Sequence, residues 1–233
     1  MSRAATAWRL VRERRREDLA RVVARALFPP WLFRSNEMLI ARLTRPRPLP
    51  RPLDGITIRW GRPEDEPALQ RIRPREEGYG HHFEAGHVLV VGELDGRVAS
   101  FNWFETDGLH VSRANGYRFR YGPRGAWAFG FEVDPAARMS GIFHKHWVEA
   151  LALLAGRGIE AVYGSIQCDN PRSVNSHRRL GFEMLYLYRV LRIAGVIHYA
   201  VHAGGPGGPL VDAGFGRWDG AVPAVAVQEP VTR

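Results

Sequence analysis

The sequence is poor in cysteine, in lysine and in long apolar runs. Its single cysteine, Cys168, excludes an internal disulfide framework and indicates a reducing compartment, so we expect a cytoplasmic protein. Arg21 and Arg25 interrupt the N-terminal apolar residues before they form the core of a signal peptide. The uncharged run from Ile193 to Val211 is broken by glycine and proline. The sequence therefore predicts a soluble or peripheral protein.

The formal charge of +9 comes from one end of the chain. Residues 1–53 hold 13 arginines and 4 acidic residues, whereas residues 54–233 hold 20 basic and 20 acidic residues. Nucleic-acid binding by the folded part is therefore not expected. Residues 6–28 are typical of a basic amphipathic helix, which could bind an anionic membrane surface on the inner side. The same helix could equally pack on the domain or on a second subunit of a homodimer.

Three segments are expected along the chain. Residues 1–53 are predicted to be a basic extension with helices over 6–28 and Glu37–Leu43, followed by the extended linker "RPRPLPRP". Residues 54–202 are predicted to be one α+β domain. Residues 203–233, rich in glycine and proline, are expected to be disordered or loosely draped.

The central segment shows alternating strand and helix patterns. "GITIRW" is typical of a half-buried strand, and "HVLVVGELDGRVASFNWFE" predicts a hairpin turning at Asp95-Gly96. "AWAFGFEVDP", "AVYGSIQ" and "EMLYLYRVLRI" predict further strands, with helices after the first and the second. The predicted order is strand, helix, hairpin, strand, helix, strand, helix, strand.

The stretch "VDPAARMSGIFHKHW" predicts a turn from a strand into a helix. The unpaired N–H groups and the positive end of the dipole at a helix N-terminus suit a diphosphate. The residues placed to bind it are those of the turn itself: Arg138, Met139, Ser140, Gly141, Ile142 and Phe143.

The stretch "NPRSVNSHRRLGF" predicts a short helix. Asn170 is an N-cap, Pro171 suits the first helical position, and Gly181 suits the left-handed residue that follows the helix. Asn170, Ser173 and His177 share one face of this helix.

Together, these two stretches and the element order resemble the GNAT superfamily of acyl-CoA-dependent N-acyltransferases. The resemblance covers about two thirds of the chain. It implies a mixed, mostly antiparallel twisted sheet flanked by helices, with acetyl-CoA as co-substrate and no metal. In this family the first stretch holds the coenzyme diphosphate, although Met139 and Phe143 here replace small residues. The second runs beside the pantetheine arm, where Asn170 and Ser173 are the expected contacts.

The resemblance also implies catalytic residues. His177 stands where the family commonly has the tyrosine that protonates the leaving thiolate; an imidazolium is chemically suited to that role, and a merely structural histidine is the alternative. Glu132 is the expected base for the amine, the alternative being a carboxylate paired with an arginine. Backbone groups near Phe131 and Val133 would hold the thioester carbonyl. The acceptor site would be formed by residues 71–87 and 106–124.

The predicted function is acetyl or short acyl transfer from acyl-CoA to an amine of a small molecule or protein by direct attack. Arginines 113, 118, 120 and 124 suggest an acidic acceptor. The alternatives are a peripheral-membrane or nucleic-acid-binding module acting through residues 6–28, and a non-catalytic acyl-CoA sensor or a member that uses an acyl-carrier protein.

His144 and His146 lie about 200° apart around a helix and cannot chelate one metal together. Histidines 81, 82 and 87 are expected in a solvated loop.

Overall fold

A computed structural model describes residues 27–28, 32–48, 53–112, 115–217 and 224–226. The predicted helix over 6–28 therefore lies almost wholly outside the described residues. Within the described ranges the chain forms nine strands in one sheet and three in a second. The helices are α1 (Glu66–Ile72), α2 (Gly80–Glu84), α3 (Ile142–Ala155) and α4 (Pro171–Leu180).

The strands of the large sheet are β1 (Phe33–Leu43), β2 (Ile56–Trp60), β3 (Val88–Leu94), β4 (Arg97–Glu105), β7 (Gly125–Val133), β8 (Ala161–Gln167), β9 (Glu183–Ile193), β10 (Val196–Ala203) and β11 (Leu210–Arg217). Their spatial order is β11-β10-β9-β1-β8-β7-β4-β3-β2. Among these described strands β7 and β8 pair in parallel and the other neighbours are antiparallel. The small sheet contains β5 (Leu109–Ser112), β6 (Tyr117–Arg120) and β12 (Ala224–Ala226).

The two faces of the large sheet are covered by different elements. α3 and α4 pack on one face, where Trp147, Leu154 and Val174 join the largest apolar cluster. On the other face, Leu69 and Tyr79 from the α1–α2 region pack on β3 and β4. The β5–β6 hairpin covers the adjoining part of that face through Tyr117 and Phe119. The predicted mixed, mostly antiparallel sheet flanked by helices is confirmed.

The local signals placed most of these elements correctly. Asp95 and Gly96 turn the β3–β4 hairpin with positive φ values of 51° and 76°, as this dipeptide favours. Asp134 accepts from the Ala136 amide before α3, and Gly181 ends α4 with a φ of 111°. The predicted strands and helices occur in the predicted order from residue 55 to residue 201, but the structure also contains α2 and the β5–β6 hairpin, which were not predicted.

The prediction of a helix over Glu37–Leu43 was wrong, because these residues belong to β1. This strand lies between β8 and β9, and Met38, Leu39 and Ile40 are all buried. A strand covered on both faces has a continuous apolar run without alternation, which periodicity cannot distinguish from a buried helix. The large sheet therefore includes residues on both sides of the Pro-rich segment.

The segment after Ala203 also differs from its prediction. β11 pairs antiparallel with β10 and extends the sheet beyond residue 203. β11 is an edge strand, and apolar side chains on it such as Phe215 are exposed. The strand was not predicted because the segment is rich in glycine. The division into three segments at residues 53 and 203 stays a prediction.

Candidate active site

A cleft of about 1110 Å³ opens where β7 and β8 move apart. These strands pair from Gly125 opposite Ala161 to Ala128 opposite Gly164, and their mutual pairing ends there among the described residues. β7 is bulged beside this point, because Gly130 and Phe131 together stand opposite Asn102 of β4. Gly130 has a φ of 64°, which suits glycine and fixes the position of the bulge.

The bulge changes which way the side chains of β7 point. Phe129 contacts His82 and His87 on the α1–α2 face, whereas Phe131 contacts Phe143 and Trp147 on the α3 face. In a regular strand Phe129 and Phe131 would point to the same face; here they point to opposite faces, since one inserted residue resets the alternation. Phe131 and Val133 line the cleft, as expected of the strand beside the thioester.

Glu132 lies apart from this cleft. Its Oε1 is 3.7 Å from Nε of Arg73, which directly follows α1, and its side chain is about one third exposed. Glu132 thus faces the α1–α2 side of the sheet, and the cleft lies on the α3–α4 side. The separation of the two strands is the passage between these sides.

The turn before α3 contributes three of its six predicted binding residues to the cleft wall. Arg138, Met139 and Phe143 line the cleft. Ser140 and Gly141 do not line it, and Ile142 is fully buried in the core. Met139 is 96% exposed and so leaves the backbone accessible. Phe143 packs edge-to-face on Phe131 and on His177, which makes it part of the cleft wall.

The chain preceding β2 crosses the N-terminal end of α3. Gly141, with a φ of 87°, is the N-cap, and a Cβ there would come within 2.7 Å of Leu53 Cδ1. Nζ of Lys145 donates to the main-chain oxygens of Leu53 and Ile56. The positive φ favours glycine at position 141, and the side chain of Leu53 packs beside it.

α4 forms the opposite wall of the cleft. Oδ1 of Asn170 accepts from the Ser173 amide at 3.1 Å, as expected of an N-cap. Asn170, Ser173 and His177 all line the cleft, so the predicted shared face is correct. Arg172, in the first turn, also lines the cleft.

His177 is held by its own helix and by aromatic rings. Its Nδ1 lies 2.8 Å from the main-chain oxygen of Ser173, and Phe143, Trp147 and Phe182 surround the imidazole. A carbonyl oxygen only accepts, so Nδ1 carries the proton and Nε2 has the lone pair in the neutral ring. Burial lowers the pKa of His177, with the hydrogen bond to Ser173 opposing that effect.

Sequence patterns missed several residues of the cleft, above all Asn102. It lies in the middle of β4, and a lone asparagine among apolar strand residues gives no motif. Trp147 and Arg172 were also missed. Arg172 could have been recognised, since it stands two positions after the N-cap on a helix already assigned to the site.

On the α1–α2 face, titratable side chains form a connected series. Nδ1 of His82 is 3.2 Å from Nδ1 of His87, and Glu105 lies 3.9 Å from His87 and 2.7 Å from His110. Burial lowers the pKa of His82 to about 4 and also lowers the pKa of His87. The expectation of a solvated loop was wrong for His82 and His87, because α2 packs them against Trp103 and Phe129.

The arginines expected to attract an acidic acceptor do not converge. Arg118 and Arg120 point outwards from β6, while Tyr117 and Phe119 between them are buried. Arg124 forms an ion pair with Glu160, and Arg113 lies outside the described residues.

Within the described ranges, no three His, Cys, Asp or Glu side chains are grouped to hold a metal ion. No helix among those residues is long and apolar enough to cross a membrane.

The chain is similar to several known proteins. No family model matches the chain. A GCN5-related N-acetyltransferase from Sphaerobacter thermophilus is similar with a TM-score of 0.49 and 19% identity, over 69% of this chain and 52% of that one. The ribosomal-protein-S18-alanine N-acetyltransferase from Escherichia coli gives 0.42 and 18%, over 56% and 80%. The described domain has a mixed α/β fold with a large, mostly antiparallel sheet flanked by helices, and the resemblance drawn from the two motifs stays a prediction.

The curated relatives carry a more particular name. A mycothiol acetyltransferase from Nocardioides sp. is 30% identical over 64% of this chain and 58% of its own length. The mycothiol acetyltransferase from Saccharomonospora viridis is 27% identical over 65% of this chain and 55% of its own length. The chain thus spans little more than half the length of these relatives. Their name agrees with the predicted reaction class.

Proposed function

We propose that this chain is a GNAT-type N-acetyltransferase that passes an acetyl group from acetyl-CoA directly to an amine. The observation that carries the proposal is the cleft between the diverging ends of β7 and β8, bounded by the N-terminal turns of α3 and α4. A long donor needs such a groove, with phosphate-binding amides at one end and a gap through the sheet at the other. The relatives named as acetyltransferases support the same reaction.

The coenzyme would lie on the α3–α4 face. Arg138 and Arg172 line the cleft near the two helix N-termini, where cations and main-chain amides favour the diphosphate. Asn170, Ser173 and His177 would flank the pantetheine arm. Main-chain groups at Phe131 and Val133 would hold the thioester carbonyl, close to the bulge at Gly130.

The amine would approach from the α1–α2 face. Glu132 lies on that side of β7, so we propose it as the base that receives the amine proton, directly or through water. Its neighbour Arg73 keeps a positive charge beside the carboxylate. We propose a small-molecule amine as acceptor, since α1, α2 and the β5–β6 hairpin enclose this side. His177 stays a proposed proton donor to the thiolate.

Two measurements test this function together. Calorimetric titration with acetyl-CoA and with free coenzyme A tests the donor, and thiol release over a panel of small-molecule amines tests the reaction. We expect binding of both ligands and amine-dependent thiol release. Binding without release for any amine would favour a non-catalytic acyl-CoA sensor. Absence of binding to both ligands would contradict the proposal.

A further inference from the structure

Asn102 lies at the point where the two halves of the sheet begin to separate. Its neighbours in β4 pair regularly with β7: Phe101 with Glu132 and Trp103 with Phe129. Asn102 itself faces two residues, Gly130 and Phe131, because of the bulge. An amide side chain is thus placed one strand away from the main chain expected to hold the thioester.

The carboxamide of Asn102 has no partner within the part of the chain that the structure describes. The residue has 0% exposure, yet neither Oδ1 nor Nδ2 makes a hydrogen bond among the described residues. A buried amide left in this way destabilises a fold, whereas an apolar residue of the same shape would not. Two positions earlier on β4, the hydroxyl of Ser100 is equally buried but lies 2.8 Å from Nδ1 of His146. A buried polar side chain on this strand can thus find a partner, although Nε1 of Trp103, like the carboxamide of Asn102, has none among the described residues.

Asn102 lies on the cleft side of β4, because its neighbours Phe101 and Trp103 pack on the α1–α2 side. Asn102 lines the cleft together with Ala128, Gly130 and Phe131 of β7 and with Gly164 and Ser165 of β8. These residues surround the place where the two strands part. Asn102 therefore forms part of the cleft wall at this point, with both polar atoms of its carboxamide buried.

We infer that Asn102 is a catalytic residue whose Nδ2 donates a hydrogen bond to the acyl carbonyl oxygen of the bound thioester. This inference rests on the proposed function. The acyl carbonyl is an acceptor without a donor of its own, and it matches the unfilled N–H group of Asn102. Oδ1 remains to accept an N–H from the same ligand, since the pantetheine arm carries two amides.

The proposed bond becomes stronger during the reaction. The amine nitrogen forms a bond to the acyl carbon, and the carbonyl π electrons move to the oxygen, which becomes negatively charged. That electron pair then re-forms the carbonyl, the C–S bond breaks, and coenzyme A leaves as thiolate with the bonding pair. The amine proton passes to the base. A fixed donor that faces the oxygen stabilises the charged stage more than the ground state.

Asn102→Leu tests the inference, with Ser100→Ala as matched control. Leucine has nearly the volume of asparagine and removes both polar atoms, and Ser100 is buried on the same strand but does not line the cleft. Calorimetry on the full chain gives Kd for acetyl-CoA and for free coenzyme A. We expect Asn102→Leu to weaken acetyl-CoA binding about tenfold relative to coenzyme A, the size of one lost hydrogen bond. The control should leave this ratio unchanged.

Two further readouts separate a catalytic from a structural role. Asn102→Leu should lower kcat for thiol release by at least the same factor, while its melting temperature stays equal to or above that of the wild type. Asn102→Asp keeps an acceptor but no N–H donor at neutral pH, so it should share the loss of kcat. An unchanged Kd ratio and kcat in a folded Asn102→Leu protein would overturn the inference alone. A wild type that binds neither ligand would overturn the proposed function as well.

Discussion

Nδ1 of His177 lies 2.8 Å from the main-chain oxygen of Ser173, one turn earlier in the same helix. This contact assigns the proton of the neutral ring to Nδ1 and leaves Nε2 as an acceptor. Burial lowers the pKa of the ring, so the imidazolium form is favoured only in acid. A thiolate-protonating role therefore requires a ring that is protonated at Nε2 during the reaction.

His177→Phe tests that role through its pH dependence. If the imidazolium protonates the thiolate, the wild-type kcat should fall as pH rises through the lowered pKa, and the variant should lack this limb. Steady-state thiol release between pH 5 and 9 measures both profiles, and calorimetry should show similar affinity for coenzyme A. Identical pH profiles for the two proteins would assign His177 to the cleft wall, together with Phe143.

Glu132→Gln should lower kcat about a hundredfold, because a positioned base contributes on the order of 10² or more to a proton transfer. The affinity for acetyl-CoA should change little, since Glu132 does not line the cleft. Glu160→Gln is the control, as that carboxylate pairs with Arg124 at the surface. Equal rates for Glu132→Gln and the wild type at every pH would exclude Glu132 as the base.

Arg138→Ala should weaken binding of coenzyme A about tenfold, the effect expected from losing one charged contact to a phosphate. Turnover of acetyl-pantetheine, which has no diphosphate, should not change. Arg157→Ala provides a comparison, because that guanidinium stacks on Trp60 beyond the end of α3 and does not line the cleft. If Arg138→Ala lowers turnover of acetyl-CoA and of acetyl-pantetheine equally, Arg138 does not contact the diphosphate.

His146 should make the fold sensitive to acid. Burial lowers the pKa of its imidazole to about 3 in the folded protein, whereas the unfolded chain binds a proton near pH 6.5. Protons therefore favour the unfolded state as pH falls from 6.5 to about 3, and the stability contributed by the neutral ring is fully present above pH 6.5. At about 1.4 kcal/mol for each pKa unit, the loss amounts to several kcal/mol.

Chemical denaturation at pH 7 and at pH 5 measures this effect. His146→Gln should reduce the difference in the free energy of unfolding between the two pH values, although it lowers stability at pH 7 by disturbing the bond to Ser100. His198→Gln is a suitable comparison, because that histidine lies on β10, away from the interior. The same pH difference in His146→Gln and the wild type would contradict the assignment.

A chain that begins at residue 54 should fail to fold. It would lack β1, which pairs with β9 from Phe33 to Arg42 and with β8 from Met38 to Leu43. Without it, the large sheet is divided between β8 and β9 and two rows of main-chain groups lose their partners. Circular dichroism and thermal melting should show no cooperative transition. A chain that begins at residue 32 keeps β1 and is the control; matching transitions in the two would refute the prediction.

The extent to which the sequence predicted this structure depended on how local each signal is. The Asp95-Gly96 turn and the caps at Asn170 and Gly181 are decided within a few residues, so they were predicted correctly. The character of β1 is decided by strands more than a hundred positions away, and its apolar run matched either a helix or a buried strand.

The site shows the same division. The two helix N-termini and His177 were found because a capping residue and a motif identify them. The bulge at Gly130 depends on pairing with β4. It places Phe129 and Phe131 on opposite faces, whereas the alternation of a regular strand would place them on the same face. Asn102 was missed because its burial and its lack of a partner arise only after the sheet has formed.

The position of β1 also has a consequence for synthesis on the ribosome. This strand leaves the ribosome before the strands on both sides of it, β8 and β9, which follow only after more than a hundred further residues have been made. Contacts this distant in sequence slow folding, and an apolar strand that waits for its partners is prone to aggregation. We therefore expect the large sheet to close only after β8 and β9 have been made, with the apolar residues of β1 unpaired until then.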